Sequence, residues 1–220
     1  MKKANSIKVV LCDDHVLLRD ALANVINTFE DFKVVQTVNN GQELINYLNE
    51  GSLPDVILLD LNMPVMDGFA TATHLFSKYP QIKILTLTMY DSEIALIRLL
   101  QVGVKGFLKK DVHPNELRSA LKSVSENGFY YSHHTTGKLA GLFQKDAYNN
   151  TMIEKAILTD KEIDFLRLAS TDLTYKEIAD KLKITPRAID GYRDALFEKL
   201  DVKSRVGLAI YAVKNGIVTL

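Results

Sequence analysis

Five short apolar runs in the first part of the chain alternate with segments of helical periodicity. The runs cover residues 7–12, 33–38, 56–59, 84–88 and 106–108. The inward faces of the first and fifth helices are marked by Leu18, Leu22, Val25 and Phe29 and by Leu117, Leu121 and Val124. Strands separated by helices pair in parallel through right-handed crossovers. The pattern therefore predicts an α/β domain, a doubly wound (βα)5 fold around a five-stranded parallel sheet.

The chain from residue 158 onward shows no strand pattern, and capping signals mark four short helices. Thr159 pairs with Glu162 as a capping box, and Thr174 pairs with Glu177 in the same way. Ser204 would cap the last helix, which should end near residues 215 and 216. The sequence therefore predicts a second, all-α domain of four helices.

The third of these helices has the features of a DNA-reading helix. Thr185 caps it, Pro186 occupies its first position, and only the turn Lys183–Ile184 separates it from the preceding helix. The inward stripe comprises Ile189, Tyr192, Leu196 and Leu200, and the outward positions are Arg187, Asp190, Gly191 and Asp194. Two helices joined by so short a turn are typical of a helix-turn-helix, whose second helix enters the major groove of DNA.

A stretch with little periodicity separates the two predicted domains. We expect the α/β domain at residues 1–128, a linker at 129–152 and the helical domain at 153–220. Within the linker, Lys138 to Phe143 could form one or two helical turns. No further metal-ligand spacing surrounds His133 and His134, so we interpret them as solvated linker residues.

Composition and charge narrow the class of protein. No run approaches the roughly 18 apolar residues of a membrane span, and the start of the chain has no signal-peptide core. We therefore expect a cytoplasmic protein without membrane association. The single cysteine, Cys12, excludes an internal disulfide. Residues 153–220 contain 12 Lys and Arg against 11 Asp and Glu, a balance that favours local basic patches, dimerisation or modest affinity if this domain binds DNA.

Three carboxylates follow two of the predicted strands. Asp13 and Asp14 end the first strand, and Asp60 ends the third. Because the carboxyl ends of parallel strands share one crevice, these side chains would crowd one another unless a cation compensates. Mg²⁺ prefers carboxylate and carbonyl oxygens and commonly takes a phosphate oxygen as a further ligand. The sequence therefore predicts a magnesium site suited to phosphate chemistry.

Two further strand ends carry groups that suit a phosphoryl group. Thr88 closes the fourth run, and Lys110 follows the fifth. A hydroxyl and an ammonium at this edge can hydrogen-bond and charge-pair a phosphoryl group on Asp60. Taken alone, Thr88 would be an ordinary β-branched strand residue, and only its place beside the acidic cluster favours a functional interpretation.

The segments around these residues resemble the receiver domain of two-component response regulators. They are Cys12-Asp13-Asp14-His15, Leu59-Asp60-Leu61-Asn62-Met63-Pro64, Asp67-Gly68, Leu87-Thr88 and Gly106-Phe107-Leu108-Lys109-Lys110. The helical domain resembles the LuxR-like family at residues 158–159, 162, 176–179, 199–200 and 203–205. Together the two parts resemble a regulator of the NarL/FixJ type over nearly the whole chain.

The resemblance implies the roles of the acidic residues. A sensor histidine kinase would be the partner that donates a phosphoryl group to Asp60, the phosphoacceptor. Asp14, Asp60 and the backbone carbonyl of Asn62 would bind Mg²⁺, and Asp13 would act through water. Lys110 would pair with Asp60 or its phosphate.

The resemblance also implies a switch at two further residues. Thr88 would swing to bond the phosphoryl oxygens, and Phe107 would rotate inward with it. For Phe107, simple core packing is an equally good interpretation.

Double-stranded DNA is the second partner that the resemblance implies. Candidate contacts on or beside the third helix are Thr185, Arg187, Asp190, Gly191, Arg193, Asp194, Lys199 and Lys203. The family commonly has Thr-Val-Lys where this chain has Ala188-Ile189-Asp190, so the family's base contacts do not carry over. Asp190 could accept a hydrogen bond from cytosine N4, or it could pair with Arg187 or Arg193 within the helix.

Two apolar segments exceed the needs of the predicted cores. Ile94 to Val102 is apolar nearly all round and is either deeply packed or a partner surface. In the last helix, Leu208 and Ala212 lie off the expected inward stripe. That stripe comprises Val206, Ala209, Ile210 and Val213. We expect phosphorylation to promote a homodimer through one of these surfaces.

Two other functions use some of the same residues. A Mg²⁺-dependent aspartyl-phosphate phosphohydrolase could use the acidic cluster, but nothing resembles a substrate-enclosing cap, and a helical reader domain has no role in such an enzyme. A constitutive DNA-binding regulator with a vestigial receiver is disfavoured because the acidic and phosphate-binding residues are all present. We therefore expect a phosphorylation-dependent transcription regulator and not an enzyme.

Overall fold

A computed structural model of the chain describes residues 6–88, 93–133, 135–141 and 157–218. The chain forms two compact units. One is built around a parallel sheet, and the other contains the helices that follow Thr159. The predicted combination of an α/β domain with an all-α domain is confirmed.

Five parallel strands form the sheet, in the order β2-β1-β3-β4-β5. The strands are β1 (Ile7–Cys12), β2 (Phe32–Val38), β3 (Val56–Asp60), β4 (Lys83–Thr88) and β5 (Gly106–Lys109). The helices that alternate with them are α1 (Val16–Asn27), α2 (Gly41–Asn49), α3 (Gly68–Lys78), α4 (Glu93–Gln101) and α5 (Pro114–Asn127). Each strand end lies within one residue of its predicted position. Because the chain passes from β1 outward to β2 and then returns to β3, a crevice opens where β1 and β3 end.

The core of this unit lies between the sheet and its helices. Its strand residues include Val9, Leu11, Val56, Leu58, Leu85 and Leu87. The predicted inward face of α5 is confirmed, since Leu117, Leu121 and Val124 are buried. In α4, Leu99 is fully buried, so part of this helix is packed rather than exposed.

Helix α1 departs from its predicted apolar face at two residues. Leu22 and Phe29 pack against the core as expected, but Ile26, which lies off that face, is fully buried, and Arg19 is buried as well. Its Nη1 donates to the backbone carbonyl of Asp13 at 3.1 Å and to Asn39 Oδ1 at 2.5 Å. These acceptors replace the water that a buried guanidinium loses. Apolar periodicity assigns arginine residues to the surface, so it could not predict that Arg19 is buried.

The first residues of the predicted linker pack along β5. Tyr130 forms an isolated parallel bridge with Gly106, and its backbone N–H donates to the carbonyl of Lys105 at 2.8 Å. Residues 135–141 are helical, and they include the start of the helical turn predicted from Lys138. The rest of that turn, and His134, lie outside the described residues.

The second unit contains four helices among the described residues. They are α6 (Asp160–Ala169), α7 (Tyr175–Leu182), α8 (Pro186–Leu200) and α9 (Arg205–Lys214). Both predicted capping boxes are present, at Thr159 and Thr174, and Thr185 and Ser204 cap α8 and α9. The chain turns from α7 to α8 through Lys183, which adopts the left-handed region with φ of 54°. The predicted helix-turn-helix is confirmed.

The predicted inward face of α9 is wrong. Leu208 and Ala212 are fully buried, whereas Val206 and Ile210 are 67% and 62% exposed. Leu208 and Ala212 belong to the core of this unit, where α9 packs on α6. In a helix that is apolar on most sides, periodicity gives two candidate stripes of similar hydrophobicity, and the helix buries the one that fits its neighbour.

We predict that Leu208→Ala destabilises this unit far more than Ile210→Ala. Truncating the buried leucine removes apolar contacts and leaves a cavity, which costs about 2–5 kcal/mol. Ile210 is largely exposed, so its truncation should change the free energy of unfolding by no more than about 0.5 kcal/mol. Urea unfolding of both full-length variants measures the difference, and equal costs would contradict the packing of α9.

Candidate functional site

The carboxylates that end β1 and β3 meet at the crevice between these strands. Ligand atoms of Asp13, Asp14, His15 and Asp60 all lie within 4.8 Å of one another. Asp13 and Asp60 are each only 3% exposed. His15 Nδ1 lies 3.1 Å from Asp13 Oδ1 and 3.0 Å from Asp14 Oδ1. The sequence indicated the three aspartates but not the position of the imidazole, which the chain turn after β1 folds back over them.

Lys110 supplies a positive charge to this cluster from the end of β5. Its Nζ lies 2.7 Å from Asp60 Oδ2 and 3.1 Å from Asp13 Oδ2. The other oxygen of Asp60, Oδ1, accepts a hydrogen bond from the backbone N–H of Leu61 at 2.7 Å. Both oxygens of the Asp60 carboxylate are therefore held in fixed positions.

Burial and charge act in opposite directions on the central pair. Burial raises the pKa of Asp60 above its ordinary value, the hydrogen bond and charge of Lys110 oppose this rise, and the charge of Asp13 adds to it. Burial lowers the pKa of Lys110, but the hydrogen bond and charge of Asp60 outweigh it and leave this pKa raised. The charge of Lys110 therefore favours the ionised form of the Asp60 carboxylate.

A glycine allows the loop after β3 to approach Asp60. The backbone N–H of Gly68 donates to the carbonyl of Leu61 at 3.0 Å. A Cβ atom at this position would lie 2.3 Å from the carbonyl oxygen of Asp60. Asp67 caps α3 directly before it by accepting from the backbone N–H of Ala70 at 2.8 Å. The Asp67-Gly68 pair therefore fixes the turn that carries the phosphoacceptor candidate.

The donor set of the cluster fits Mg²⁺. Asp13 Oδ2 and Asp14 Oδ1 are buried and make no hydrogen bond with any described residue, although Lys110 Nζ lies 3.1 Å from the first and His15 Nδ1 lies 3.0 Å from the second. Two such oxygens are short of partners that a hard divalent cation provides. Asp14, Asp60 and the backbone carbonyl of Asn62 are the atoms that would hold it, as the resemblance implies.

The two switch candidates are buried near the same edge of the sheet. Thr88 ends β4 and is 3% exposed, and Phe107 in β5 is also 3% exposed. The Phe107 ring stacks on Tyr131 with centroids 5.7 Å apart, and Tyr131 stacks on Phe129 at the same distance. Tyr131 was not predicted as a site residue, because it falls in the segment expected to be a linker, which has no packing role. The run of three aromatic residues at 129–131 was the available signal.

Helix α8 presents several candidate DNA contacts on its surface. Arg187, Asp190, Gly191 and Asp194 are all exposed, as is Lys203 beyond the helix. The hydroxyl of the exposed Thr185 accepts a hydrogen bond from the backbone of α8 and so serves as its N-cap.

Two other candidates make ion pairs inside the unit. Arg193 lies 3.0 Å from Asp190 Oδ1 and 2.8 Å from Asp194 Oδ1. Lys199 Nζ pairs with Glu162 at 2.9 Å and donates to the carbonyl of Ile157 at 2.8 Å.

Family comparisons agree with this two-part architecture. Residues 9–122 match the response regulator receiver domain, and residues 156–212 match the luxR family of bacterial regulatory proteins. The chain is a response regulator of the NarL/FixJ type. The regulator is 31% identical to the oxygen regulatory protein NreC of Staphylococcus carnosus over 215 residues, 96% of this chain and 99% of that protein. NreC of Staphylococcus epidermidis is 32% identical over 216 residues, with the same coverage.

Solved structures of similar fold come from the regulator RcsB. RcsB of Salmonella enterica serovar Typhimurium, bound to promoter P1flhDC with the phosphomimetic BeF3-, is 25% identical with a TM-score of 0.66 and covers 94% of this chain and 98% of its own. A structure of two RcsB dimers on two parallel DNAs is 23% identical with a TM-score of 0.62, and the match covers 96% of this chain and 99% of the RcsB chain. Within the regulator, none of the described helices has the length and apolar character that crossing a bilayer requires.

We predict that Mg²⁺ raises the thermal unfolding midpoint of the wild-type regulator. The folded cluster binds the cation and the unfolded chain does not, which adds about 1.4 kcal/mol at tenfold excess over Kd. Asp14→Asn and Asp60→Asn should each remove most of this shift. Asp55→Asn should retain it, because Asp55 precedes β3 at the opposite edge and accepts from the backbone N–H of Lys8. A Mg²⁺ titration by scanning fluorimetry checks this, and equal shifts in all three variants would place the cation elsewhere.

Proposed function

We propose that the chain is a phosphorylation-dependent, DNA-binding transcription regulator with Asp60 as phosphoacceptor. The observation that supports it most is the buried Asp60 carboxylate, 2.7 Å from Lys110 Nζ and among two further carboxylates. This cluster lies in a chain that also has a luxR-type domain. The partner whose chemistry matches the Asp60 site is a sensor kinase that carries phosphohistidine and donates its phosphoryl group. The partner of the luxR-type domain is double-stranded DNA.

The phosphoryl transfer uses the carboxylate as nucleophile. An oxygen of Asp60 attacks phosphorus, the P–O bond forms as the P–N bond to the donor imidazole breaks, and the imidazole takes up a proton as it leaves. Lys110 offsets negative charge on the phosphoryl oxygens through its ammonium group. Mg²⁺ bound by Asp14, Asp60 and the Asn62 carbonyl would offset the charge that three carboxylates present to an anionic donor.

The response to phosphorylation proceeds through the buried residues beside the site. Thr88 turns its hydroxyl toward the phosphoryl oxygens, and the Phe107 ring moves with it. Because Phe107 stacks on Tyr131, this motion changes the packing at the start of the segment that leads to the second unit. Phosphorylation therefore acts through a change in local charge and packing that biases two arrangements of the chain.

The DNA-binding output uses the exposed face of α8. A luxR-type match and an exposed Arg187 on the second helix of the helix-turn-helix support major-groove binding. RcsB, which has a similar fold, is found on DNA as dimers. We propose the same mode here, since dimerisation compensates for the near balance of charge in the second unit by doubling the number of phosphate contacts.

We predict that the purified regulator accepts one phosphoryl group at Asp60 from acetyl phosphate, and only with Mg²⁺ or Mn²⁺. The carboxylate cluster repels an anionic donor until a cation compensates. Intact-mass spectrometry should show a single phosphoryl addition in wild type and in Asp55→Asn, and none in Asp60→Asn. Labelling that persists in Asp60→Asn, or in EDTA, defeats the assignment.

Thr88→Ala and Lys110→Ala should separate modification from response. Both variants keep the nucleophile but lose a proposed partner of the phosphoryl oxygens, so phosphorylation shifts the two-state equilibrium less. Intact mass should still show the label, whereas light scattering should show little of the phosphorylation-induced dimer. Lys109→Ala, an exposed neighbour outside the cluster, is the matched control and should dimerise like wild type. If Thr88→Ala and Lys110→Ala do so as well, the proposed switch is wrong.

A further inference from the structure

Arg193 on α8 is held by two carboxylates of its own helix. Its Nη1 donates to Asp190 Oδ1 at 3.0 Å, one turn before it, and its Nε and Nη2 lie 2.9 and 2.8 Å from Asp194 Oδ1. The arginine side chain is 28% exposed, while the two carboxylates are 58% and 64% exposed. All three guanidinium nitrogens therefore lie within hydrogen-bond distance of a carboxylate oxygen.

An aromatic platform fixes the same guanidinium from the preceding helix. The Arg193 Cζ lies 5.5 Å from the ring centroid of Tyr175, within the range of a cation–π contact. Tyr175 is itself held in place, since its ring stacks with Phe165 and Arg205 lies 5.4 Å from its centroid. Arg205 in turn donates to the carbonyl of Ala169 at 2.9 Å. The arginine is therefore restrained by contacts to two helices.

The position of this network matters because α8 is the proposed reading helix. Asp190 and Asp194 share its exposed surface with Arg187 and Gly191. An arginine on such a surface ordinarily neutralises a DNA phosphate, which is the sequence-independent part of DNA affinity. Here the same charge is already neutralised by two carboxylates, so a phosphate must compete with both of them for the guanidinium.

We propose that Asp190 and Asp194 form a clamp that withholds Arg193 from DNA phosphates, so that the reading helix discriminates against nonspecific duplex. Asp190, Asp194 and Tyr175 then act as specificity-determining residues, because they lower the affinity that every sequence shares and leave direct base contacts unchanged. This inference rests on the proposed DNA binding through α8.

A double-mutant cycle on the full-length regulator tests the clamp. The four proteins are wild type, Asp194→Asn, Arg193→Gln and the double variant, and the probe is a fluorescent duplex of random sequence measured by anisotropy over a salt series. In the wild-type background, Asp194→Asn should tighten binding about five- to tenfold near 0.1 M salt. The plot of log affinity against log salt concentration should also become steeper by about 0.9, which is the value of one added phosphate contact. In the Arg193→Gln background, the same change should tighten binding less than about twofold, because no guanidinium remains to be released.

Two controls separate the clamp from simple loss of repulsion and from misfolding. Glu198→Gln removes a carboxylate from the same helix that makes no ion pair with Arg193, and it should tighten binding by less than about twofold. Asp190→Asn tests the second arm of the clamp and should act in the same direction as Asp194→Asn. Thermal melts of each variant check that the unit is folded.

The outcomes are distinct for the clamp and for DNA binding itself. If Asp194→Asn tightens binding equally in both backgrounds, or if it weakens binding, the clamp is overturned while DNA binding through α8 stands. If folded wild type and all variants show no salt-dependent affinity for any duplex, the proposed function fails, and the clamp fails with it. If Asp194→Asn tightens binding only in proteins that retain Arg193, the result supports both the clamp and DNA binding through α8.

Discussion

The crowding of three carboxylates at one edge of the sheet is the constraint on which the rest of the regulator depends. Parallel pairing of β1 with β3 brings Asp13 and Asp14 beside Asp60. Burying like charges is unfavourable unless an opposite charge compensates, and Lys110 provides that charge at 2.7 Å. The compensation is incomplete, because the pKa of Asp60 remains raised by burial. Such a site favours a divalent cation.

Residues at strand ends and helix starts could be predicted because local chemistry fixes them. Apolar runs located every strand within a residue, and Thr159 and Thr174 marked their helices through capping boxes. Features set by packing between elements could not be predicted. Arg19 is buried because two acceptors meet it from elsewhere in the fold, and α9 buries Leu208 because α6 accepts that face. Hydrophobic periodicity shows neither which acceptors surround a buried arginine nor which face of a helix its neighbour covers.

The near balance of charge in the DNA-binding unit has a structural explanation. Lys199 neutralises Glu162 at the start of α6, and Arg193 is paired with two aspartates on α8. Several basic residues therefore stabilise the unit and do not form an open cationic surface. The exposed Arg187 and Lys203 remain on or beside α8. The proposed dimerisation and base contacts would therefore add more to the DNA affinity than the net charge of the unit does.

The central claim is that a phosphoryl group on Asp60 controls DNA binding. The most direct measurement is the affinity of one protein preparation for a duplex selected from a random library, before and after phosphorylation, with the labelled fraction determined by intact mass. We expect phosphorylation to tighten binding by about five- to 150-fold, the range of coupling between two linked sites, and to leave Asp60→Asn unchanged. Equal affinities for the labelled and unlabelled wild-type protein would contradict the account.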